Sequence, residues 1–263
     1  MAPGTGNRVS PPRSRGSTET IHAQLRSRIL TGEIPAGSEL VQTQVAKEFQ
    51  VSRGPVREAF RLLQREGMID AEVNLRARVA SLSLEELEHL YAMRVVNEAL
   101  ALRVSVDRFT PEELDTLDRV ACAIGRSDPA DFAVWETQHQ AFHSLLVSHA
   151  GVHMRRELAR LADHTERYRR VYVNAESGAW REGAGEHEEL ADIARAGDAR
   201  AATTLLARHL SRAALTLIAG MDPAYDPALL RAAVRQATSA EAPSDHATRP
   251  SRQRRTSSGG SPP

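Results

Sequence analysis

Residues 38–80, SELVQTQVAKEFQVSRGPVREAFRLLQREGMIDAEVNLRARVA, leave a chain few folds to choose from. Val45, Ala46 and Phe49 give an apolar face to a short helix over Thr43–Phe49, and a tight turn follows at Gln50-Val51. Ser52 stands where it would cap a second helix running to about Glu66, inside which Val56, Ala59, Phe60, Leu62 and Leu63 recur at helical spacing. Arg53 and Arg57, four apart, share the opposite face near its start. Two helices on a three- or four-residue turn form a helix-turn-helix, whose second helix enters the major groove of DNA N-terminus first. Arginines in its first turn then reach guanine edges or phosphates. Gly67 stops the helix, and the runs 68–72 and 76–80 alternate as a hairpin wing would. The competing reading is a buried helical hairpin whose arginines are merely solvated.

At 263 residues the chain has room for two domains. Aromatic residues are only 4% while Ala, Leu, Arg and Glu abound, which suits a mainly α protein. A formal net charge of +0 would argue against nucleic acid if the charge were evenly spread. It is segregated. Residues 1–80 hold 12 Lys/Arg against 8 Asp/Glu, a balance of +4; residues 81–237 hold 18 against 24, or −6; the remainder holds 4 against 2, or +2. The positive end carries the helix-turn-helix, as phosphate binding requires. The single cysteine, Cys122, excludes an intrachain disulfide or thiolate cluster and reads as an inert core thiol. No apolar run approaches the ~18 residues of a membrane span. The first sixteen residues hold no hydrophobic stretch fit for a signal peptide, so a cytoplasmic protein with no membrane partner is expected.

In order, 1–16 reads as a disordered basic tail and 17–80 as a winged helix-turn-helix domain whose first helix spans Thr18–Leu30. Residues 81–237 read as an all-α domain of roughly six helices, and 238–263 as a second disordered tail. Ser83-Leu84-Glu85-Glu86 and Thr110-Pro111-Glu112-Glu113 are capping boxes that open two of those helices. Asp128-Pro129 opens a third, His153–Asn174 is a fourth, and Glu186–Ala196 and Asp198–Ala219 are two more hinged at Gly197.

The run IPAGSEL…VAKEFQVSRGPVREAFRLLQREGMI resembles the winged-helix half of GntR-family bacterial transcription regulators, whose usual pattern is PG-x-x-L, LA-x-x-x-x-VSR-x-PVREAL-x-x-L-x-x-EG-x-x. The resemblance implies contact with double-stranded DNA through Arg53, Gly54, Pro55 and Arg57, with Arg61 and Arg65 farther along the exposed face. It also implies a homodimer on a pseudo-palindromic operator. Thr43 stands where an arginine often begins the motif, and it joins the DNA-contacting set by position. The wing tip reads Asn74-Leu75-Arg76-Ala77 in place of the common Asn-Arg-Gly-Ala, so Arg76 replaces the glycine, and Arg76 and Arg78 become phosphate ligands. From Leu87 the chain is similar to the FCD effector domain of the FadR-like subgroup. The matching pieces are Leu90-Tyr91-x-x-Arg94-x-x-x-Glu98, Phe142-His143-x-x-Leu146, Glu186-His187-x-x-Leu190, Ala196-Gly197-Asp198-Ala199 and His209-Leu210.

Four of the ten histidines can meet. His139 and His143 lie one helical turn apart, so they share a face. His187 lies ten residues before the Gly197 hinge and His209 twelve after it, about 15 and 18 Å along two antiparallel helices. Such a cluster suits a divalent cation, Zn²⁺ or Ni²⁺. The FCD resemblance implies the same ligand set, with His139 in place of an acidic residue; His139 either ligates or points away. Arg94, beside a metal with open positions, would complete a two-point receptor for a small carboxylate effector. A surface pair with Glu98 is the plainer reading of that arginine. Arg167, Tyr168 and Tyr172 are further candidates for the cavity wall. His149, His153 and His164 read as solvated or loop residues. The expected function is a regulator, a repressor in sense, whose operator affinity answers to that effector. The alternatives are a sensor of the metal itself, or a metal-dependent hydrolase using Glu186 or Glu188 as base.

Overall fold

The computed structural model describes residues 17–71, 76–128, 131–175 and 179–239. Helix α1 (Thr18–Leu30) begins where Ser17 adopts extended backbone and its side chain accepts a hydrogen bond from Thr20 N. A strand unforeseen in the sequence, β1 (Glu39–Val41), precedes α2 (Gln42–Glu48). The turn after α2 passes through Gln50 at φ +56°. Helix α3 (Arg53–Arg65) then buries Val56, Ala59, Phe60 and Leu63 in one core with Ile21 and Leu25 of α1. Ser52 holds the N-cap position with extended backbone, but its side chain makes no capping bond, so that cap is one of position only. Gly67 stops the helix at φ +66°, and a Cβ there would sit 2.9 Å from His164 Nδ1. The wing is β2 (Ile69–Ala71) and β3 (Arg76–Val79), and β3 lies between β1 and β2, antiparallel to both. Its alternation buries Ala77 and Val79 and leaves Arg76 and Arg78 outside. The tip at Asn74-Leu75 lies outside the described residues, as do the tails at 1–16 and 240–263.

The rest is a helical bundle built around α4 (Leu84–Val106), which packs on α7 (Val152–Ala175), α9 (Ala199–Met221) and α10 (Ala228–Thr238). Ser83 caps α4 through Glu86 N, but Glu86 does not return the bond. Its carboxylate is taken by Arg167 and by the Tyr168 hydroxyl of α7 (Val152–Ala175). The box at Thr110 and Glu113 is complete and opens α5 (Pro111–Arg126). Helix α6 (Phe132–Leu146) starts at Asp131, whose carboxylate accepts from Val134 N, and not at Asp128-Pro129. Helix α8 (Ala179–Arg195) begins ahead of the expected Glu186, and α9 (Ala199–Met221) follows Gly197, held at φ +74°.

Among the described residues the bundle has a seventh helix, α10 (Ala228–Thr238), where roughly six were expected. It has no side-chain cap at Pro227. Its N-terminus is instead capped from α4: buried Glu88 accepts from Leu229 N at 2.7 Å, Leu230 N at 3.1 Å and the Tyr225 hydroxyl at 2.7 Å. A carboxylate there satisfies orphan N–H groups and meets the positive end of the helix dipole. Cys122 on α5 is only half-buried, so it is less of a core thiol than its apolar neighbours suggested. No helix among the described residues is long and apolar enough to cross a membrane.

Candidate metal centre and DNA-contacting face

His139 and His143 of α6, His187 of α8 and His209 of α9 converge inside the bundle. All four are buried, and one nitrogen of each lies within 4.8 Å of the others. The turn at Gly197 brings His187 and His209 level, with ring centroids 4.5 Å apart. His139 points inward with them, its centroid 4.5 Å from that of His143 and 5.2 Å from that of His187.

The protonation and orientation of these rings follow from what surrounds them. Burial first, then the neighbouring imidazoles, holds His139 and His187 well below the ordinary histidine range; for His187 the Gly183 carbonyl opposes this weakly. Burial also brings His143 down to about 4, against the pull of Glu98. Glu98 itself would be raised by burial, but the Arg94 charge and the bond from His143 bring it to about 2. The His143–Glu98 contact is therefore a neutral imidazole N–H donating to a carboxylate at 3.1 Å. That bond fixes the tautomer and turns His143 Nε2, which has no protein partner, into the centre. His209 Nδ1 donates to Glu186 at 2.7 Å. Both carboxylates are anchored in turn, Glu98 by Arg94 Nε at 2.7 Å and Glu186 by Arg212 Nη2 at 2.6 Å.

Nδ1 of His139 and both ring nitrogens of His187 are buried without a hydrogen bond of acceptable geometry. Orphaned buried polar atoms are rare because each forfeits its hydration. Here they cluster, are neutral, and share one chemistry, that of a nitrogen-preferring divalent cation. The spread of 4.8 Å exceeds the ~3.3 Å edge of a closed tetrahedral zinc site and is closer to the ~4.2 Å between opposite ligands of a six-coordinate ion. The residues fit a metal that keeps open positions.

Beside the centre lies a cavity of about 240 Å³, with Arg94, Glu98, His139 and His143 in its wall. Arg94 is 1% exposed, so its pair with Glu98 is buried rather than a surface pair. Tyr172 lines a smaller hollow on the other side of the histidines, whereas Arg167 and Tyr168 face the start of α4. Glu186 is engaged by His209 and Arg212, and exposed Glu188 lies against Gly125 of α5, so neither nominated base faces the cavity. His149 and His164 are not simply solvated: His149 pairs with Glu113 at 3.0 Å, and His164 Nε2 donates to the Arg65 carbonyl. Sequence reasoning missed Glu98 and Glu186 as orienters of the histidines. Their signals were present, in the Arg94–Glu98 spacing and the Glu186-His187 pair, but which carboxylate meets which ring is set by tertiary packing.

A pH dependence follows for the metal-free protein. Unfolded histidines take a proton near pH 6.5, while folded His139, His143 and His187 resist it. Their contribution to stability is thus full above pH 6.5 and falls as pH drops, for His143 through about 4. Each adds up to ~1.4 kcal/mol per pH unit in its window. Denaturant unfolding at pH 7.5, 6 and 5 should show a steep loss, and saturating metal should raise the stability at each pH without removing that slope, because the unfolded histidines still take up protons.

On the other unit Arg53, Arg57, Arg61 and Arg65 are exposed on α3, Gly54 and Pro55 are half-buried in its first turn, and Thr43 is exposed on α2. Arg61 pairs with Glu58 at 3.0 Å, while Arg57 Nε is 3.8 Å from the same carboxylate. Arg76 pairs with Glu39 at 3.1 Å, and Arg78 Nη1 donates to the Gly37 carbonyl at 2.7 Å. The two wing arginines thus reach a phosphate only by exchanging these partners.

A winged helix with a basic recognition helix, joined to a bundle that encloses a histidine centre and a cavity, defines a DNA-binding transcription regulator. The profile of bacterial regulatory proteins of the gntR family matches residues 17–79, and that of the FCD domain matches 89–212. The chain belongs to the GntR family of bacterial transcription regulators. It is 31% identical over 204 residues to the uncharacterized HTH-type transcriptional regulator BphR of Paraburkholderia xenovorans, across 74% of this chain and 83% of that one. It is 32% identical over 139 residues to the gluconate operon transcriptional repressor of Bacillus licheniformis, across 51% of this chain and 56% of the repressor. In fold it is similar to E. coli McbR/YncC, with a TM-score of 0.65 at 17% identity over 80% of this chain and all of that one.

Proposed function

We propose that this regulator is a repressor whose operator affinity is lowered by a small carboxylate bound at a metal centre of His139, His143, His187 and His209. The observation that carries the reading is a single stretch of α7, residues 163–168, which touches the cavity and the DNA-binding unit at once. Asp163 lines the cavity, and Thr165 Oγ1 accepts from Arg94 Nη1 at 3.0 Å. In the same stretch Glu166 accepts from Arg26 of α1 at 3.0 Å, and His164 donates to the carbonyl of Arg65, the last residue of α3. Arg26 also reaches Glu66, which His22 grips at 2.8 Å. Tyr168 holds Ser83, where the chain passes from wing to bundle.

The cation would supply a Lewis-acidic position for a carboxylate oxygen. Arg94 offers the second anchor, and any shift of Arg94 towards a ligand acts on Thr165. Linkage requires that operator binding weaken the ligand in return. On the DNA side Arg53, Gly54, Pro55 and Arg57 contact bases and phosphates, with Thr43, Arg61, Arg76 and Arg78 contributing phosphate contacts. A second copy is expected against α4, where Met93, Leu100 and Val104 form an exposed apolar stripe.

The test is operator binding by fluorescence anisotropy with metal-loaded protein and a panel of small carboxylates. Arg57→Ala should cost about 1–3 kcal/mol of operator affinity. Arg26→Gln combined with Glu166→Gln should bind the active acid as before, yet show no change of operator affinity with it. A double variant still released by the acid would overturn the role of α7. Release by the metal alone, with no acid active, would make the metal itself the signal.

A further inference from the structure

The shape and charge of the cavity narrow the ligand class. Along α6 its wall runs from His139 through His143 and Ser144 to Val147, and along α7 from Arg169 back to Arg155. His139 feels the charge of Arg169, so the metal end of the slot is the Arg169 end and the mouth lies by Val147 and Arg155. An ion held by both His139 and His143 sits at the level midway between them, and the six residues from there to Val147 rise about 9 Å, which sets the length of the slot. Between the two ends α7 supplies an apolar wall of Leu158, Ala159 and Ala162, faced by Ser144 of α6.

Two of the arginines in the wall are already committed. Arg94 is paired with Glu98 and Arg169 with Glu136. Arg155 is exposed at the mouth and pairs with no carboxylate among the described residues. Asp163, the other acidic residue of the wall, is under the influence of Glu66 and Arg26 from the DNA-binding unit. The slot therefore has a cationic position at each end and an apolar α7 wall between them. Metal–oxygen contact takes about 2 Å of the length and an arginine–carboxylate contact about 3 Å, leaving roughly 4 Å between the two ends of a ligand.

Resting on the metal-and-carboxylate reading above, we infer that the effector is a short dianionic acid, one carboxylate at the histidine centre and the second on Arg155. Arg155 is then the residue that selects a diacid over a monoacid of equal length. A monoacid would leave its apolar tail at a charged, wet mouth and forgo the bidentate bond that a guanidinium offers.

Calorimetric titration of Zn²⁺-loaded protein with succinate and with butyrate, equal in chain length and different by one terminal charge, tests this. The wild type should bind succinate at least tenfold more tightly. Arg155→Gln should bring succinate down to the level of butyrate while leaving butyrate and Zn²⁺ affinities unchanged. Equal affinity of the wild type for the two acids, or an equal loss for both in Arg155→Gln, overturns the selection by Arg155. Binding of neither acid to protein that does hold Zn²⁺ overturns the carboxylate reading itself, and this inference with it.

Discussion

Arg94→Met should destabilise the protein by about 3–5 kcal/mol, the cost of leaving one partner of a buried ion pair uncompensated. Arg94 is 1% exposed and Glu98 3%. The arginine gives Glu98 a bond at 2.7 Å and Thr165 one at 3.0 Å, and its charge does most to hold the pKa of the desolvated carboxylate down to about 2. Without it Glu98 must either carry an unpaired charge or take up a proton, and a protonated Glu98 no longer fixes the tautomer of His143. The variant should therefore lose metal affinity as well as stability. Arg94→Met with Glu98→Leu should recover much of the stability, because an apolar pair of similar volume replaces the ion pair. Chemical denaturation of the three proteins decides between this and a pair of little consequence, for which the single variant would lose under 1 kcal/mol.

His187→Leu should separate binding from stability in the opposite sense. The ring is 1% exposed and neither nitrogen has a hydrogen bond of acceptable geometry, so a leucine of similar volume removes two poorly satisfied polar atoms from the core. The metal-free variant should be as stable as the wild type or more so. Its affinity for Ni²⁺ or Zn²⁺ should fall by more than ~100-fold, since groups that only orient a ligand are already worth 10–100-fold. Trp135 is a convenient reporter, because its ring stacks on His139 at 4.6 Å and Ni²⁺ in the centre should quench it. Undiminished quenching at the same Ni²⁺ concentration in His187→Leu would remove His187 from the ligand set.

The contrast between the two variants marks what a sequence can tell. The recognition helix was legible because its evidence is local: Val56, Ala59, Phe60 and Leu63 repeat at helical spacing and Gly67 ends them. The histidines were legible for a similar reason, since four residues on one helix and a measured distance either side of Gly197 are enough to bring rings level. Helix α10 was not, because its cap is Glu88, some 140 residues away in the chain. The start of α8 was hidden by Gly183 and Gly185, which lower helix propensity but are carried by packing. Ser83 and Glu86 show the limit of a local motif: half the box forms, and the other half gives way to Arg167 and Tyr168. Strand β1 is three residues long and is held by its register with β3, Leu40 opposite Ala77, which no spacing within β1 reveals. For the same reason the burial of Arg94 could not be told from a surface pair at the same spacing. Contacts within a turn or two of helix can be read from the chain; those that cross the fold must be seen.

The most direct test of the histidine centre is X-ray absorption at the metal edge of the purified, Zn²⁺- or Ni²⁺-loaded protein. The expected result is one ion per chain, with a shell of three or four imidazole nitrogens at about 2.0–2.1 Å and the remaining positions filled by oxygen. A shell of oxygens alone, or protein that takes up no ion at stoichiometric metal, would contradict it.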